Sequence, residues 1–491
     1  MKKTIAVLLV VLMTVGLVAC GASEGAANNA GSTNATTAAK DPNALAEGQI
    51  LVGYGKADIT PELSVPLGGY GNTERRMSTG FMDYLYATCF AVTDAEGNTA
   101  ILFGIDMGGS GGELYVRIRE SIAQKYQIPV ENIIISASHT HSAPDMGSSV
   151  PSIAKWRSTL IKRIEEAADM AMEDRAPADI YMATTETQGL NFVRRYALED
   201  GTVNGYQSII TASGLKIVGH ETEADHSLQL LKFDRGEGKK DIMVANFQTH
   251  PHRAGSATNP LMTADLVGAF RTEIEQKLGY DVVYFTGAAG NINPTSMIEE
   301  ENITKDHKEQ GQALAKYAID AESTYEKISG GKVQAVCEVY ESQIDHTEDH
   351  LIDVAREAQK MWTETNDIMG VTNAFKSYGI NGPYHANAIV SKYSKGPSDS
   401  FMIYAVSFGD VGFACAPYEM FDTNGMFIKE NSPFAITFVA ECANGSNGYF
   451  PSSIAWDNNG YEVDTCKYMK GAAEEMADRF VTMLQGMYDN K

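Results

Sequence analysis

The sequence is poor in cysteine and has no Cys-x-x-Cys pair. Only 6 cysteines occur in 491 residues. Structural zinc sites of the finger type use closely spaced cysteine pairs, so that class of metal site is excluded. An odd number of cysteines follows Cys20, which leaves at least one unpaired thiol among Cys89, Cys337, Cys415, Cys442 and Cys466.

Positive charge is also scarce. The chain has 39 lysines and arginines against 63 aspartates and glutamates, which gives a formal net charge of −24 at pH 7. A surface this acidic repels the phosphate backbone of DNA and RNA. We therefore expect no nucleic-acid partner.

The sequence offers no apolar run of the length that a membrane-spanning helix with a stop signal requires. The apolar stretch at residues 5–18 follows Lys2 and Lys3 and is shorter than the roughly 20 residues that span a bilayer. It ends in small residues before Cys20, which resembles the lipobox of bacterial lipoproteins. We predict a signal peptide over residues 1–19, a lipidated Cys20 and a flexible tether over residues 20–47. The protein would be exported and anchored to the bacterial cell membrane. The alternative is an ordinary secretory signal with a chance cysteine.

Residues 48–491 form the expected folded domain, and their hydrophobic periodicity indicates an α/β fold. Strand patterns occupy residues 85–93, 99–105, 133–135, 242–248, 282–285, 401–408, 411–414 and 435–440. Helical patterns occupy residues 113–126, 152–174, 265–278, 305–321, 351–362 and 466–487. Glycine and proline predict a loop over residues 53–61, and residues 363–399 match neither pattern. These elements favour a mixed central β-sheet flanked by helices.

Metal-binding side chains follow several of the predicted strands. They lie in the loops just after the apolar runs: His139, His141, His250, His252, Glu419 and Tyr449. Ligands of open α/β sheets bind beyond the carboxyl ends of the strands. Imidazole and carboxylate groups suit Zn²⁺, which activates water in catalytic sites. Each residue alone could equally be a solvated loop residue, but the repeated placement favours a metal site in these loops.

Six short stretches carry a resemblance to a known family. They are GKADITP at residues 55–61, SASHTHSAP at 136–144, NFQTHP at 246–251, GAAGNINP at 287–294, PYE at 417–419 and GYFP at 448–451. In this order they resemble the N-terminal catalytic domain of the neutral/alkaline (non-lysosomal) ceramidases, over essentially all of residues 50–485. The resemblance implies a lipid-amide hydrolase of sphingolipid metabolism.

The resemblance also implies roles for individual residues. One zinc ion per chain would be held by His139, His250, Glu419 and Tyr449. His141 would line the same site as a general base or proton shuttle. Arg194 would contact the substrate, although Val193 stands where the family has an asparagine, and either Arg194 or Arg195 could equally be a surface charge.

Two features depart from the family pattern. Characterised ceramidases have Gly-Asp-x-Ser-Pro where this chain has Gly290-Asn-Ile-Asn-Pro294, so Asn293 replaces the serine beside the scissile amide. A carboxamide can donate a hydrogen bond to an oxyanion but cannot act as a nucleophile, so the mechanism should depend on metal-activated water. We also expect no immunoglobulin-like domain at the C-terminus, with residues 48–491 forming the catalytic domain alone.

These observations predict a zinc-dependent hydrolase that cleaves an amide bond in a small-molecule or lipid substrate. Two alternatives remain open. One keeps the metal and acts on an ester or another amide. The other is a non-catalytic lipoprotein that binds a ligand with the same fold. Retention of both Glu419 and Tyr449 argues against the second alternative, because a chain without catalysis has no physical need of them.

Overall fold

The computed structural model describes residues 45–70, 76–109, 111–458 and 460–491. The predicted signal peptide, Cys20 and residues 20–44 of the predicted tether lie outside the described residues. No helix in the described ranges is both long and apolar enough to cross a membrane. The five cysteines after Cys20 are all free thiols.

The strands of the described residues range from two to eleven residues in length. In chain order they are β1 (Ile50–Asp58), β2 (Gly80–Phe81), β3 (Tyr86–Thr93), β4 (Thr99–Ile105), β5 (Ile133–Ala137), β6 (Ala176–Glu186), β7 (Phe192–Val193), β8 (Tyr196–Leu198), β9 (Val203–Asn204), β10 (Ile217–His220), β11 (Ser227–Asp234), β12 (Ile242–Phe247), β13 (Leu261–Met262), β14 (Asp281–Thr286), β15 (Ile292–Asn293), β16 (Glu326–Ile328), β17 (Val333–Gln343), β18 (Ser398–Phe408), β19 (Val411–Cys415), β20 (Glu419–Met420), β21 (Ile436–Ala440) and β22 (Tyr449–Phe450).

The helices lie between some of these strands, singly or in succession. In chain order they are α1 (Gly112–Tyr126), α2 (Pro151–Glu173), α3 (Gln207–Ser213), α4 (Asp265–Lys277), α5 (His307–Asp320), α6 (Ile352–Thr365), α7 (Ile368–Phe375), α8 (Pro383–Tyr393), α9 (Asp422–Asn431), α10 (Tyr461–Thr465) and α11 (Ala472–Tyr488).

Two mixed sheets form the centre of the protein. The larger sheet has the strand order β14-β12-β11-β6-β1-β3-β4-β5, with β16 added beside β6. The smaller sheet has the order β17-β18-β19-β21. Both sheets combine antiparallel pairs with parallel ones, such as β12 with β14 and β19 with β21. The predicted mixed central sheet is thus confirmed, and the structure adds a second sheet.

The two sheets pack face to face through a cluster of aromatic side chains. Phe90 of the larger sheet lies 6.2 Å from Phe408 and 6.3 Å from Phe413 of the smaller sheet, measured between ring centroids. Strand residues alternate between the two faces of the larger sheet, so its other face meets α1, α2, α4 and α5. Helix α11 covers the outer face of the smaller sheet. The order of layers is helix, sheet, sheet, helix.

The predicted loop at residues 53–61 is wrong over most of its length. Strand β1 includes Gly53 and Gly55, and both face helix α2. A Cβ atom on Gly55 would lie only 1.9 Å from the carbonyl oxygen of Ala167, and one on Gly53 only 2.1 Å from that of Ala171. Glycine is common in loops, but here it lets the helix backbone pack directly on a strand.

The region without a clear sequence pattern forms a small helical insertion. Helices α7 and α8 of this region follow the predicted helix α6, and all three lie between β17 and β18 and share an apolar cluster, which includes Ala358, Val371 and Ile389. Lys392 is buried among acidic groups and lies 3.2 Å from Glu348 and 3.6 Å from Asp345. Because the helices are short and a charged side chain is buried among them, the apolar periodicity of residues 363–399 does not reveal their secondary structure.

We expect Gly55→Ala to destabilise the protein. The new methyl group would force α2 away from β1, and overpacking of this kind costs about 1–3 kcal/mol or more. Gly219→Ala in β10 is the matched control, because no atom lies within 4 Å of a Cβ at that position. The free energy of unfolding measured in urea checks this, and equal stability of the two variants would contradict the close packing of α2 on β1.

Candidate metal centre

His139 stands directly beyond the carboxyl end of β5. It is buried, and its backbone φ of 66° places a non-glycine residue in the left-handed region. Strained residues of this kind persist where the surrounding structure fixes them, often at functional sites. The amide of the preceding Ser138 donates a hydrogen bond to the carbonyl of Ile105, 2.8 Å away. This hydrogen bond between the ends of the parallel strands β4 and β5 therefore fixes the backbone next to His139.

His250 follows β12 in the same way and is completely buried. Its Nδ1 lies 3.0 Å from the carbonyl oxygen of Ile292, which can only accept a hydrogen bond. Nδ1 therefore carries the proton, and Nε2 of the neutral ring presents a lone pair. That Nε2 atom lies 3.1 Å from Oε2 of Glu419.

Glu419 and Tyr449 come together through two-residue strands. Strands β20 and β22 pair in parallel with Glu419 opposite Tyr449, and the amide of Glu419 donates to the carbonyl of Gly448 at 3.0 Å. The loop at residues 287–294 packs on the same strand, because a Cβ on Gly290 would lie 2.5 Å from the carbonyl oxygen of Glu419. The carboxylate is held close to both imidazoles: Oε2 lies 3.4 Å from Nε2 of His139.

The donor atoms of this cluster fit a divalent cation. Nε2 of His250 offers a lone pair to a carboxylate oxygen 3.1 Å away, and two such groups repel each other unless a cation lies between them. Burial lowers the pKa of His250 to about 3, with Arg194 as a second cause, so protonation of the ring does not relieve the repulsion near neutral pH. Two imidazoles and a carboxylate form a common ligand set of catalytic zinc sites.

His141 belongs to the same cluster. Its Nε2 lies 3.4 Å from Nε2 of His139, and the imidazoles of His139, His141 and His250 are close enough together to hold one metal ion. Burial and the neighbouring histidines keep the pKa of His141 well below its usual range. Its buried Nδ1 has no hydrogen-bond partner among the described residues, which leaves one ring nitrogen unassigned.

The buried surroundings of the cluster shift the pKa values of Glu419 and Tyr449. Burial acts to raise the pKa of Glu419, but attraction to the ring of His139 and hydrogen bonding with that ring hold the pKa well below its usual range. For Tyr449, burial and the Glu419 carboxylate raise the pKa well above its usual value. Burial lowers the pKa of His139, but Cys442 and Glu419 raise it well above its usual value. Metal binding would therefore release a proton from His139, whereas the carboxylate of Glu419 is already ionised.

Arg194 and Asn293 lie beside the cluster. The guanidinium of Arg194 donates to Glu462 at 2.6 Å, to the carbonyl of Gly290 at 2.8 Å and to Oδ1 of Asn293 at 3.4 Å. It also lies 5.3 Å from the ring centroid of Tyr449. Arg195, the alternative for the predicted role, is fully buried against Glu221 and Glu462. Arg194 is therefore the arginine beside the site, and its predicted contact with a substrate stays a prediction.

Two further side chains touch the site: His252, which the sequence pattern includes among the metal-binding candidates without an individual role, and Cys442, which it does not include. The thiol of Cys442 lies 3.5 Å from Nδ1 of His139 and occupies the position of an outer-shell partner. Nε2 of His252 lies 3.0 Å from Oδ1 of Asn293. The His-Pro-His spacing of residues 250–252 was a signal for His252, because it repeats a metal-competent residue in one loop. No sequence signal marks Cys442.

The fold and this cluster define an α/β protein with a candidate metal site at the ends of its strands. Residues 50–292 match the family model described as neutral/alkaline non-lysosomal ceramidase, N-terminal. This segment of the chain therefore belongs to that family, and the recognition from sequence is confirmed.

Individual relatives agree with the family assignment. The neutral ceramidase of Pseudomonas aeruginosa is 23% identical over 258 residues, which is 49% of this chain and 36% of that protein. The neutral ceramidase of Drosophila melanogaster is 32% identical over 96 residues, or 19% of this chain and 14% of that protein. The alignments thus span about a third or less of the length of these curated relatives.

A solved structure shares the fold. The crystal structure of neutral ceramidase from Pseudomonas aeruginosa superposes with a TM-score of 0.69 at 17% sequence identity. The match covers 91% of this chain and 75% of that chain. At this identity the similarity shows the fold, in agreement with the α/β class predicted from sequence.

We expect zinc to stabilise the protein through this cluster. A ligand that binds only the folded state at 100 times its Kd stabilises by about 2.7 kcal/mol, so added Zn²⁺ should raise the Tm of metal-free wild type. Glu419→Gln should reduce the rise sharply, because a neutral carboxamide binds zinc poorly. His350→Ala, which changes an exposed histidine, is the control. If added Zn²⁺ raised the Tm of Glu419→Gln as much as that of wild type, this carboxylate would be excluded as a ligand.

Proposed function

We propose that this chain is a zinc-dependent hydrolase that cleaves the amide bond of an N-acyl amide, with ceramide as the first candidate substrate. The observation that carries the proposal is the contact of His139 and His250 with the single oxygen Oε2 of Glu419. That contact joins two histidines of the family-matched segment to a carboxylate more than a hundred residues beyond it. The family membership supports amide-bond hydrolysis as the reaction class.

His139, His250 and Glu419 would hold the zinc ion, with Tyr449 as the fourth protein ligand. When bound, zinc would act as a Lewis acid and would lower the pKa of water, so that water can act as a nucleophile near neutral pH. The outer contacts of the two rings suit this role, since Nδ1 of His250 is fixed by a carbonyl and Nδ1 of His139 faces a thiol. Such contacts orient both Nε2 atoms toward the carboxylate.

The remaining residues would act on the substrate. His141 would carry a proton toward the leaving nitrogen, because its ring borders the ligands and its Nδ1 has no partner among the described residues. Asn293 would donate a hydrogen bond to the carbonyl oxygen as negative charge develops on it. Arg194, anchored by Glu462, would hold Asn293 and Tyr449 beside that oxygen.

The substrate class is tested by a panel of compounds. Purified protein should release fatty acid from ceramide or from other N-acyl amides, and a chelator should abolish the release until zinc is restored. Hydrolysis of esters alone would replace the amide proposal with an esterase. Stable binding of a panel member with no turnover by zinc-loaded protein would favour the non-catalytic alternative.

We expect two variants to distinguish the residues that bind the metal from the residue that transfers a proton. His250→Ala should lose both zinc and turnover, because it removes a ligand. His141→Ala should keep zinc near one per chain while kcat falls about 10²- to 10⁴-fold, the usual contribution of a general acid or base. Metal analysis and kinetics on the same samples check this, and loss of zinc from His141→Ala would instead make His141 a ligand.

The membrane anchor is a separate proposal. Cys20 follows the apolar segment at residues 5–18 and precedes a polar stretch rich in alanine, serine and threonine. Lipidation of Cys20 would attach the catalytic domain to the bacterial membrane, where a lipid amide would be accessible to it. More than one acyl chain is needed for stable attachment, and a lipoprotein cysteine carries several.

We expect Cys20→Ala to change the fate of the protein in a bacterial host. The variant should accumulate unprocessed or appear in the soluble fraction, whereas wild type should fractionate with membranes. Cys466→Ala serves as a cysteine control, because Cys466 is buried in the folded domain. Identical membrane partitioning of wild type and Cys20→Ala would contradict the anchor.

A further inference from the structure

His252 and Asn293 form a hydrogen-bonded pair at the edge of the metal cluster. Nε2 of His252 lies 3.0 Å from Oδ1 of Asn293. The ring of His252 contacts the rings of His141 and His250, with centroids 5.3 Å and 5.8 Å apart. Asn293 is buried, with 5% of its surface exposed. The sequence pattern includes His252 among the metal-binding candidates, but the proposed set of zinc ligands leaves it without a role.

The neighbouring arginine fixes which way the amide of Asn293 points. Nη1 of Arg194 lies 3.4 Å from the same Oδ1 atom. A guanidinium can only donate hydrogen bonds, so the atom that faces it must be the oxygen of the carboxamide. The amide nitrogen is thereby turned away from Arg194.

The same argument fixes the tautomer of His252. Because Oδ1 of Asn293 accepts, Nε2 of His252 must be the donor and must carry the proton. A carboxamide rotated by 180° would bring its NH₂ group against the guanidinium of Arg194, and it could keep a hydrogen bond to His252 only if that ring changed its tautomer. The amide group of Asn293 makes no hydrogen bond through Nδ2 to any described residue, so both of its hydrogens are available to a bound molecule.

The backbone holds both partners in place. Strand β15 pairs with β7, which sets Asn293 opposite Phe192. The amide of Arg194 donates to the carbonyl of Asn291 at 2.8 Å. On the other side, the hydroxyl of Tyr70 donates to the carbonyl of His252 at 3.1 Å. The pair is thus built from two separately anchored loops.

We propose that His252 is a positioning residue, which locks the carboxamide of Asn293 with its NH₂ group facing the carbonyl oxygen of the substrate. This inference rests on the proposed amide hydrolysis. A hydroxyl group can rotate its hydrogen toward a nearby acceptor, so it needs no partner to select its orientation. A carboxamide has one donating and one accepting end, so it needs a partner to select between two orientations. His252 and Arg194 together make that selection.

A double-mutant cycle tests the proposal. Asn293→Ala should lower kcat about 10²- to 10³-fold, as expected for loss of one oxyanion donor. His252→Leu, which cannot donate, should lower kcat about 10- to 100-fold with little change in KM. His252→Gln keeps a donor and should recover much of this loss. In the Asn293→Ala background, His252→Leu should have no further effect.

Zinc content and Tm measured on the same samples separate positioning from damage. The variants of His252 should bind as much zinc as wild type and as His350→Leu, a control at an exposed histidine. An equal loss of kcat from His252→Leu in both backgrounds would overturn the proposal, because the effect would then not pass through Asn293. Loss of zinc from His252→Leu would also overturn it.

A spectroscopic measurement remains informative whatever the substrate is. In protein labelled with ¹⁵N-histidine, His252 should appear as the neutral tautomer with the proton on Nε2, and its resonance should shift in Asn293→Ala. A proton on Nδ1, or no shift, would overturn the proposal even in an active enzyme. The expected tautomer and shift in a protein that hydrolyses no amide would contradict the proposed function and leave the oriented carboxamide supported.

Discussion

The contact between Nε2 of His250 and Oε2 of Glu419 is the constraint on which the site depends. The carbonyl of Ile292 forces the proton of His250 onto Nδ1, so a lone pair faces a carboxylate in a buried setting. In a low-dielectric interior such an arrangement is costly unless a cation compensates it. The surrounding elements hold the two groups together across 169 positions of sequence, which is the strongest physical reason to assign a metal to this cluster.

The layered fold makes this convergence possible. Strands β5 and β12 belong to the larger sheet, whereas Glu419 lies just beyond β19 of the smaller sheet. Because the sheets pack through an aromatic interior, the ends of strands from both sheets meet at one edge. The carbonyl of Glu441 accepts a hydrogen bond from the side chain of Ser136, which ties the end of β21 to β5. The site is thus a junction of two sheets rather than the end of one.

Much of the fold could be predicted from sequence, because buried strands and amphipathic helices leave strong periodic signals. The β-branched run before His139 and the helical spacing of apolar residues in α2 are examples. The pairing of β20 with β22 could not be predicted, since two-residue strands have no period. The resemblance supplied the candidate ligands, while their outer contacts required the structure. Glu462 anchors Arg194 from 268 positions away, and nothing local to either residue indicates that pairing.

The central claim is that His139, His250 and Glu419 share one zinc ion. Diffraction from zinc-loaded crystals on both sides of the zinc absorption edge measures this directly. The account predicts one anomalous peak per chain, with Nε2 of both histidines and Oε2 of Glu419 within about 2.0–2.2 Å of it. A peak elsewhere in the molecule, or none at this cluster in crystals that contain zinc, would contradict it.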